Sequence, residues 1–222
     1  MPSSLVLPGL HDAAAVEVRE LTHLGTRVWT DVGRRTTVIR LIPDLSRDVL
    51  ATPEGPALIA RTVRAVTMSL DRAQAVVGVR LPIAATDIRI DPAWRGWRAR
   101  RRPAEDRLAD AIAEGAVGWR EDPLVAAFLS AAATDTRIAD AARAAFVSER
   151  TLRRRVLAVL GVGPVQARRV LRLHRFHHSL QRLPVSEAAS SAGYADQSHA
   201  ARDLRSLVGM PLRAFAALHV SE

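Results

Sequence analysis

Gln197, Ser198, Arg202 and Arg205 are the residues of this 222-residue chain whose types and spacing best suit chemistry on another molecule. A glutamine amide can pair bidentately with adenine and an arginine guanidinium with guanine, while a small residue such as Ala201 lets a helix backbone approach a groove floor. The segment 193–211, GYADQSHAARDLRSLVGMP, predicts one helix of about twelve residues to carry them. Gly193 can take a positive φ and turn the chain, Asp196 can cap the helix by accepting from its free N–H groups, and Gly209 with Pro211 can end it. Ala200, Leu204, Leu207 and Val208 recur at three- and four-residue spacing and form the stripe to be buried, which leaves a polar, basic face open. Taken alone, such a face more often belongs to a solvated surface helix.

A second copy of the pattern lies 48 residues upstream, counted from Ser148 to Asp196. Residues 136–145, TRIADAARAA, predict a short helix with Ile138, Ala141, Ala142 and Ala145 on one face. Phe146 and Val147 then lead into Ser148, which can cap the helix in SERTLRRRVLAVLG. Leu152, Val156, Val159 and Leu160 form the apolar stripe of that helix and Gly161 ends it, so Arg150, Arg153 and Arg154, with Thr151 beside them, project from its other face. Residues 185–192, VSEAASSA, stand before Gly193 and Tyr194 as 138–145 stand before Phe146 and Val147. Each unit therefore reads helix, tight turn, helix, over about 136–160 and 185–208.

Between the units runs 163–183, GPVQARRVLRLHRFHHSLQRL, opened by Pro164 where a missing N–H does no harm and closed by Pro184. Val165, Val170, Leu173, Phe176 and Leu180 mark its expected buried side. About 18 helical residues at 1.5 Å rise span roughly 27 Å, comparable to the roughly 34 Å between successive major-groove faces of B-DNA.

With these residues in place, the region from about 124 to 217 resembles the DNA-binding domain of AraC/XylS-type transcriptional regulators. The resemblance rests on Gly193, Tyr194, Asp196, Gln197, Ser198, Arg202, Gly209 and Pro211 in the second unit. Ala142, Ser148, Leu152 and Arg154 carry it in the first, and Arg172, Leu173 and Leu180 in the connecting helix. It implies that Arg150, Arg153 and Arg154 face DNA from the first reading helix, and Gln197, Ser198, His199 and Arg202 from the second; the open helix faces add Thr151 and Arg205 to these sets, and Arg172 of the connecting helix is expected at the phosphate backbone. Three positions depart from the family pattern. Phe146 stands where a small turn residue is commoner, Val156 where an aromatic is common, and Ala188 where a large aliphatic fills the core. Phe146 and Phe176 are the neighbours expected to refill the lost volume.

Charge fits an anionic partner, with 32 basic residues against 23 acidic ones and a net charge of +9. Every basic residue is arginine. Residues 150–182 hold nine arginines and no acid, which predicts a positive stripe over the first reading helix and the connecting helix. The competing class is a protein-interaction module whose basic face docks an acidic partner.

The first part of the chain is expected to be different. Short Val-, Ile- and Thr-rich runs between 26 and 81, punctuated by Gly and Pro, predict antiparallel strands in a small sheet or partial barrel, followed by a helix near 104–113. The fold class is thus α+β in two domains. A β-rich sensor or assembly domain over 1–118 precedes an all-α domain over 119–222, with two helix-turn-helix units joined by a long helix. The Ile42-Pro43-Asp44 turn and the Gly78-Val79-Arg80 strand resemble sensor domains found ahead of such DNA-binding domains, without assigning a ligand residue.

Trp94 and Trp97, alternating with arginines in 91–103, are expected to pack on the first domain at its rim or connector, and Trp119 to wedge between the domains. His174 and His178 share a helix face at i,i+4, yet with no carboxylate or cysteine beside them they call for no metal. No phosphate loop, nucleophile elbow or Ser-His-Asp pattern indicates an enzyme, and no cofactor is called for. The chain has no cysteine, no apolar run of membrane-spanning length and no export signal, as expected of a cytoplasmic protein. The partners this reading names are double-stranded DNA, a small-molecule effector, a second copy of the chain and RNA polymerase.

Overall fold

A computed structural model of the chain describes residues 6–8, 16–21, 26–32, 37–52, 55–70, 75–98 and 104–217. The runs rich in β-branched residues form antiparallel strands. A five-stranded sheet has the order β2 (Val16–Leu21), β3 (Thr26–Val32), β8 (Ala75–Leu81), β5 (Arg47–Thr52), β6 (Gly55–Ile59). A three-stranded sheet is ordered β1 (Val6–Pro8), β4 (Thr37–Leu41), β7 (Val66–Leu70), and β9 (Ala85–Ile90) pairs with β10 (Val117–Glu121). Helix α1 (Ala104–Ala113) buries Leu108 and Ala111 against Val49, Val79, Leu81, Trp97 and Val117, which closes a first core.

The tryptophan-arginine stretch is the rim of this first unit. Trp97 lies in a 3-10 turn, is buried, and donates from its indole N–H to the Asp91 carbonyl at 2.7 Å. Trp94 meets it edge-on at 4.9 Å and donates to Glu114. Trp119 corrects the expectation made for it: it sits on β10, packs on this first core, and does not wedge between the units. The ladder of β10 with β9 runs to Glu121, three residues beyond the expected domain boundary.

Seven helices follow among the described residues: α2 (Pro123–Ala133), α3 (Ile138–Ala144), α4 (Glu149–Leu160), α5 (Pro164–Leu180), α6 (Val185–Ser191), α7 (Gln197–Val208) and α8 (Leu212–Ala217). Their inward stripes enclose a second core in which Phe128, Leu152, Leu173, Phe176, Leu204 and Phe215 are fully buried. Ile42, Leu45 and Ala84 of the first unit belong to this same core, so burial of apolar surface joins the two units. Arg61 holds the docking loops in shape by donating to the carbonyls of Leu45, Ile83 and Ala85, and burial together with the nearby Arg47 charge pulls its pKa down to about 10.

Val165 does not join the buried side of α5. It is 69% exposed, because Pro164 and Ala167 turn inward at the start of the helix and Val165 lies on the opposite face.

Candidate nucleic-acid interface

The two helix-turn-helix units are built alike, bond for bond. Helix α3 ends with Phe146 N–H donating to Arg143 and Val147 N–H to Ala142, and α6 ends with Gly193 N–H donating to Ser190 and Tyr194 N–H to Ala189. Both are paired-bond helix ends that require a left-handed residue, and φ is +55° at Phe146 and +88° at Gly193. Here lies the physical reason that a small residue suits position 146. The Phe146 ring is forced outward and is 96% exposed, so it refills nothing in the core. Phe176 lies in the core, edge-on to Tyr194 at 5.7 Å and stacked with Phe215 at 6.4 Å, and Val156 and Ala188 are fully buried in the same core.

Each turn feeds a capped reading helix. The Ser148 hydroxyl accepts from Thr151 N–H at 3.1 Å and pairs with the Thr151 hydroxyl at 2.8 Å, and the Asp196 carboxylate accepts from His199 N–H at 2.6 Å. Gly161 and Gly209 close the two helices in matching left-handed conformations. The buried stripes are those read from the sequence: Leu152, Val156, Val159 and Leu160 in α4, and Ala200, Leu204, Leu207 and Val208 in α7.

The opposite faces are open to solvent. Arg150, Arg153 and Arg154 line a shallow depression of about 630 Å³ with Glu149, Leu157, Gly163 and Pro164. Gln197, Ser198 and Arg205 line a second of about 550 Å³ with Val185, Ala201, Leu212, Arg213 and Ala216. Arg202 is exposed on the same helix. These residues are free to meet a ligand, apart from Arg153, which pairs with Glu149 one turn back at 2.5 Å. Arg213, which sequence reasoning missed, joins the second depression because α8 follows Gly209 closely; a lone arginine after the Gly-x-Pro ending was the available signal.

Three expected contacts are placed elsewhere. Thr151 spends its hydroxyl on the Ser148 cap. His199 lies edge-on against Tyr194 at 5.1 Å. Arg172 is turned inward, its guanidinium over the Tyr194 ring at 5.4 Å. Burial, with the Asp203 carboxylate nearby, pushes the Tyr194 phenol above its ordinary pKa, which keeps it neutral.

The connecting helix spends its other arginines internally too, which corrects the expected positive stripe. Arg168 donates to the Thr136 carbonyl. Arg175 donates to the carbonyls of Ala132 and Ala133 and pairs with Asp135 at 3.3 Å. Arg169 pairs with the buried Asp203 at 2.9 Å, and on α4 Arg155 pairs with the buried Asp122. A charge run in sequence does not reveal this, because the partners lie more than 30 residues away.

Of the histidines, His178 is exposed, whereas His174 is buried and donates from Nε2 to the Pro43 carbonyl of the first unit at 2.7 Å. A second backbone bond crosses the same boundary, from Ala65 N–H to the Leu207 carbonyl of α7 at 2.8 Å.

Two capped helix-turn-helix units are thus joined by one helix, α5. A helix-turn-helix domain family model matches residues 141–217, so this region is a helix-turn-helix domain of the AraC type. The fold is similar to that of ToxT from Vibrio cholerae, with a TM-score of 0.50 and 10% identity over 87% of this chain and 97% of that one. An apo ToxT variant from Vibrio cholerae strain SCE256 gives a TM-score of 0.46 and 12% identity over 94% and 98%. No curated protein sequence matches the chain. Among the described residues, no helix is long and apolar enough to cross a membrane.

Proposed function

We propose that the chain is a sequence-specific transcriptional regulator whose helices α4 and α7 read two adjacent major grooves on one side of a duplex. The observation that carries this is the bond-for-bond equivalence of the two units, each presenting an open polar face at one end of the same helix. At 17 residues, α5 is about 25 Å long, of the order of one turn of duplex. Arg150, Arg154 and Arg213 supply phosphate contacts, and Gln197, Ser198, Arg202 and Arg205 supply base contacts from α7. The first unit, docked on α5 and α7, senses an effector or mediates assembly. We assign the chain no catalytic activity.

Selection from random duplexes with the full chain tests the proposal. It is expected to enrich two base blocks, and Arg202→Ala is expected to cost about 1 to 3 kcal/mol at the selected site and to relax base choice within one block. Equal losses on selected and random duplexes would remove Arg202 from the reading role. Binding with no sequence preference would remove the function altogether and favour docking of an acidic protein.

A further inference from the structure

The buried stripe of α7 contains one charge. Asp203 lies among Ala200, Leu204, Leu207 and Val208 with only 8% of its side chain exposed, and Arg169 of α5 reaches it. Arg169 Nε donates to Asp203 Oδ1 at 3.0 Å, Nη2 donates to the Ser206 hydroxyl at 3.2 Å, and Nη1 donates to Gln166 on its own helix at 3.1 Å. One guanidinium therefore grips α7 at two positions three residues apart while being held by its neighbour on α5.

The first unit has a counterpart of opposite polarity at the same turn. Asp203 stands seven residues after the Asp196 cap, and Arg155 stands seven after the Ser148 cap. Arg155 pairs with Asp122, whose side chain is 4% exposed and also caps α2 by accepting from Val125 N–H. Each reading helix is thus pinned at its midpoint to a neighbouring helix by an ion pair with one buried member.

Apolar side chains tolerate sliding and rotation, because dispersion and burial are nearly non-directional, whereas a buried ion pair has one geometry. Turning α7 by one residue rotates it about 100° and strands Asp203 among apolar side chains without Arg169. Arg202 and Arg205, on the same rigid helix, move with that rotation. Here Asp203 Oδ2 has no hydrogen-bond partner among the described residues, so Arg169 is the partner that holds this carboxylate.

We propose that the Arg169–Asp203 pair is a positioning device that sets the rotation and height of α7 on α5, and through them the separation between the two base blocks the chain selects. This rests on the DNA-reading function above, and Arg155–Asp122 is its first-unit equivalent.

The test is selection from random duplexes by the full chain and by Asp203→Asn, Arg169→Met and the charge-swapped Arg169→Asp/Asp203→Arg pair. The wild type is expected to enrich two blocks at one separation. Asp203→Asn and Arg169→Met are expected to enrich the same blocks with the separation spread over neighbouring values, and to bind the wild-type optimum about tenfold more weakly while binding a duplex carrying only the first block unchanged. The charge swap is expected to restore the single separation. Arg169 is partly exposed, so Arg169→Met remains a valid test should Asp203→Asn lose its cooperative unfolding transition. Single variants that keep both the wild-type separation and affinity overturn the inference and leave the DNA-reading intact. A wild-type chain that enriches no duplex overturns the reading itself, and this inference with it.

Discussion

Replacing Gly193 by alanine separates a backbone requirement from a packing requirement at the turn of the second unit. An alanine held at φ +88° costs about 1 to 2 kcal/mol in backbone strain, partly offset by the smaller conformational entropy of the unfolded alanine chain, for a net of roughly 1 kcal/mol. At this position the new methyl would also lie 3.0 Å from Asp135 Oδ2. Asp135 is half exposed and its carboxylate can swing away, but doing so gives up its 3.3 Å contact with Arg175, an exposed pair worth about 0 to 1 kcal/mol. Gly193→Ala is therefore expected to cost about 1 to 2 kcal/mol. Gly161 and Gly209 have φ near the same value and nothing within 4 Å of the methyl that an alanine would add, so their alanine variants should show the backbone cost alone. Urea unfolding of the full chain measures all three. Repeating Gly193→Ala with Asp135→Ala should erase its excess over Gly161→Ala. The reasoning is refuted if Gly193→Ala costs no more than Gly161→Ala, or if the excess survives removal of Asp135.

Phe146→Gly should stabilise the chain by about 0.5 to 1 kcal/mol, because it relieves a left-handed non-glycine residue whose ring buries nothing, whereas Phe146→Ala should be near neutral; thermal unfolding of both decides. Burial, more than the opposing pull of Asp44 and the Pro43 bond, lowers the pKa of His174, so the unfolded chain binds the proton more readily. Stability from this residue is then constant above about pH 6.5 and falls below it, by up to about 1.4 kcal/mol per pH unit, and urea midpoints for His174→Gln should lack that fall. Duplex affinity should fall with salt at a log-log slope of about −3 if Arg150, Arg154 and Arg213 each meet one phosphate, and a slope near −6 would show that Arg168, Arg169, Arg172 and Arg175 of α5 leave their internal partners.

The local signals were legible because they are local. Ser148, Asp196, Gly161, Gly193 and Gly209 each act on backbone groups within about four residues, and all do in the structure what their types predict. The three- and four-residue spacing of Leu152, Val156, Leu204 and Leu207 fixes which side of each helix is buried without reference to any partner. The strands between 26 and 81 follow from β-branched composition, whereas β9 and β10 were missed because ATDIRI and VGWRE mix polar and apolar residues at a half-exposed edge. What sequence could not show is pairing at long range. Arg168, Arg169, Arg172 and Arg175 look identical to Arg150 and Arg154 in a charge count, and only the fold brings carbonyls, carboxylates and a tyrosine ring to the first four. Trp119 was misplaced for the same reason, since its partners in the first core are distant in sequence.

The way the first unit is docked bears on how the two reading helices are held. It touches α7 directly, through the Ala65 bond to Leu207 at the C-terminal end of that helix, and it touches α5 through His174. Its link to α4 is indirect: the Ala84 carbonyl accepts from Asp122 N–H at 2.9 Å, and Asp122 in turn holds Arg155. A displacement at Ala65 therefore acts on the second reading helix through one bond, whereas a displacement at Ala84 acts on the first through a chain of two. Because Leu207 and Asp203 lie one turn apart on the same buried face, the first unit and Arg169 constrain the same segment of α7 from two sides. Tight packing makes such a segment respond as a rigid body, so weakening either restraint should be felt at Arg202 and Arg205 before it is felt at Arg150 and Arg154.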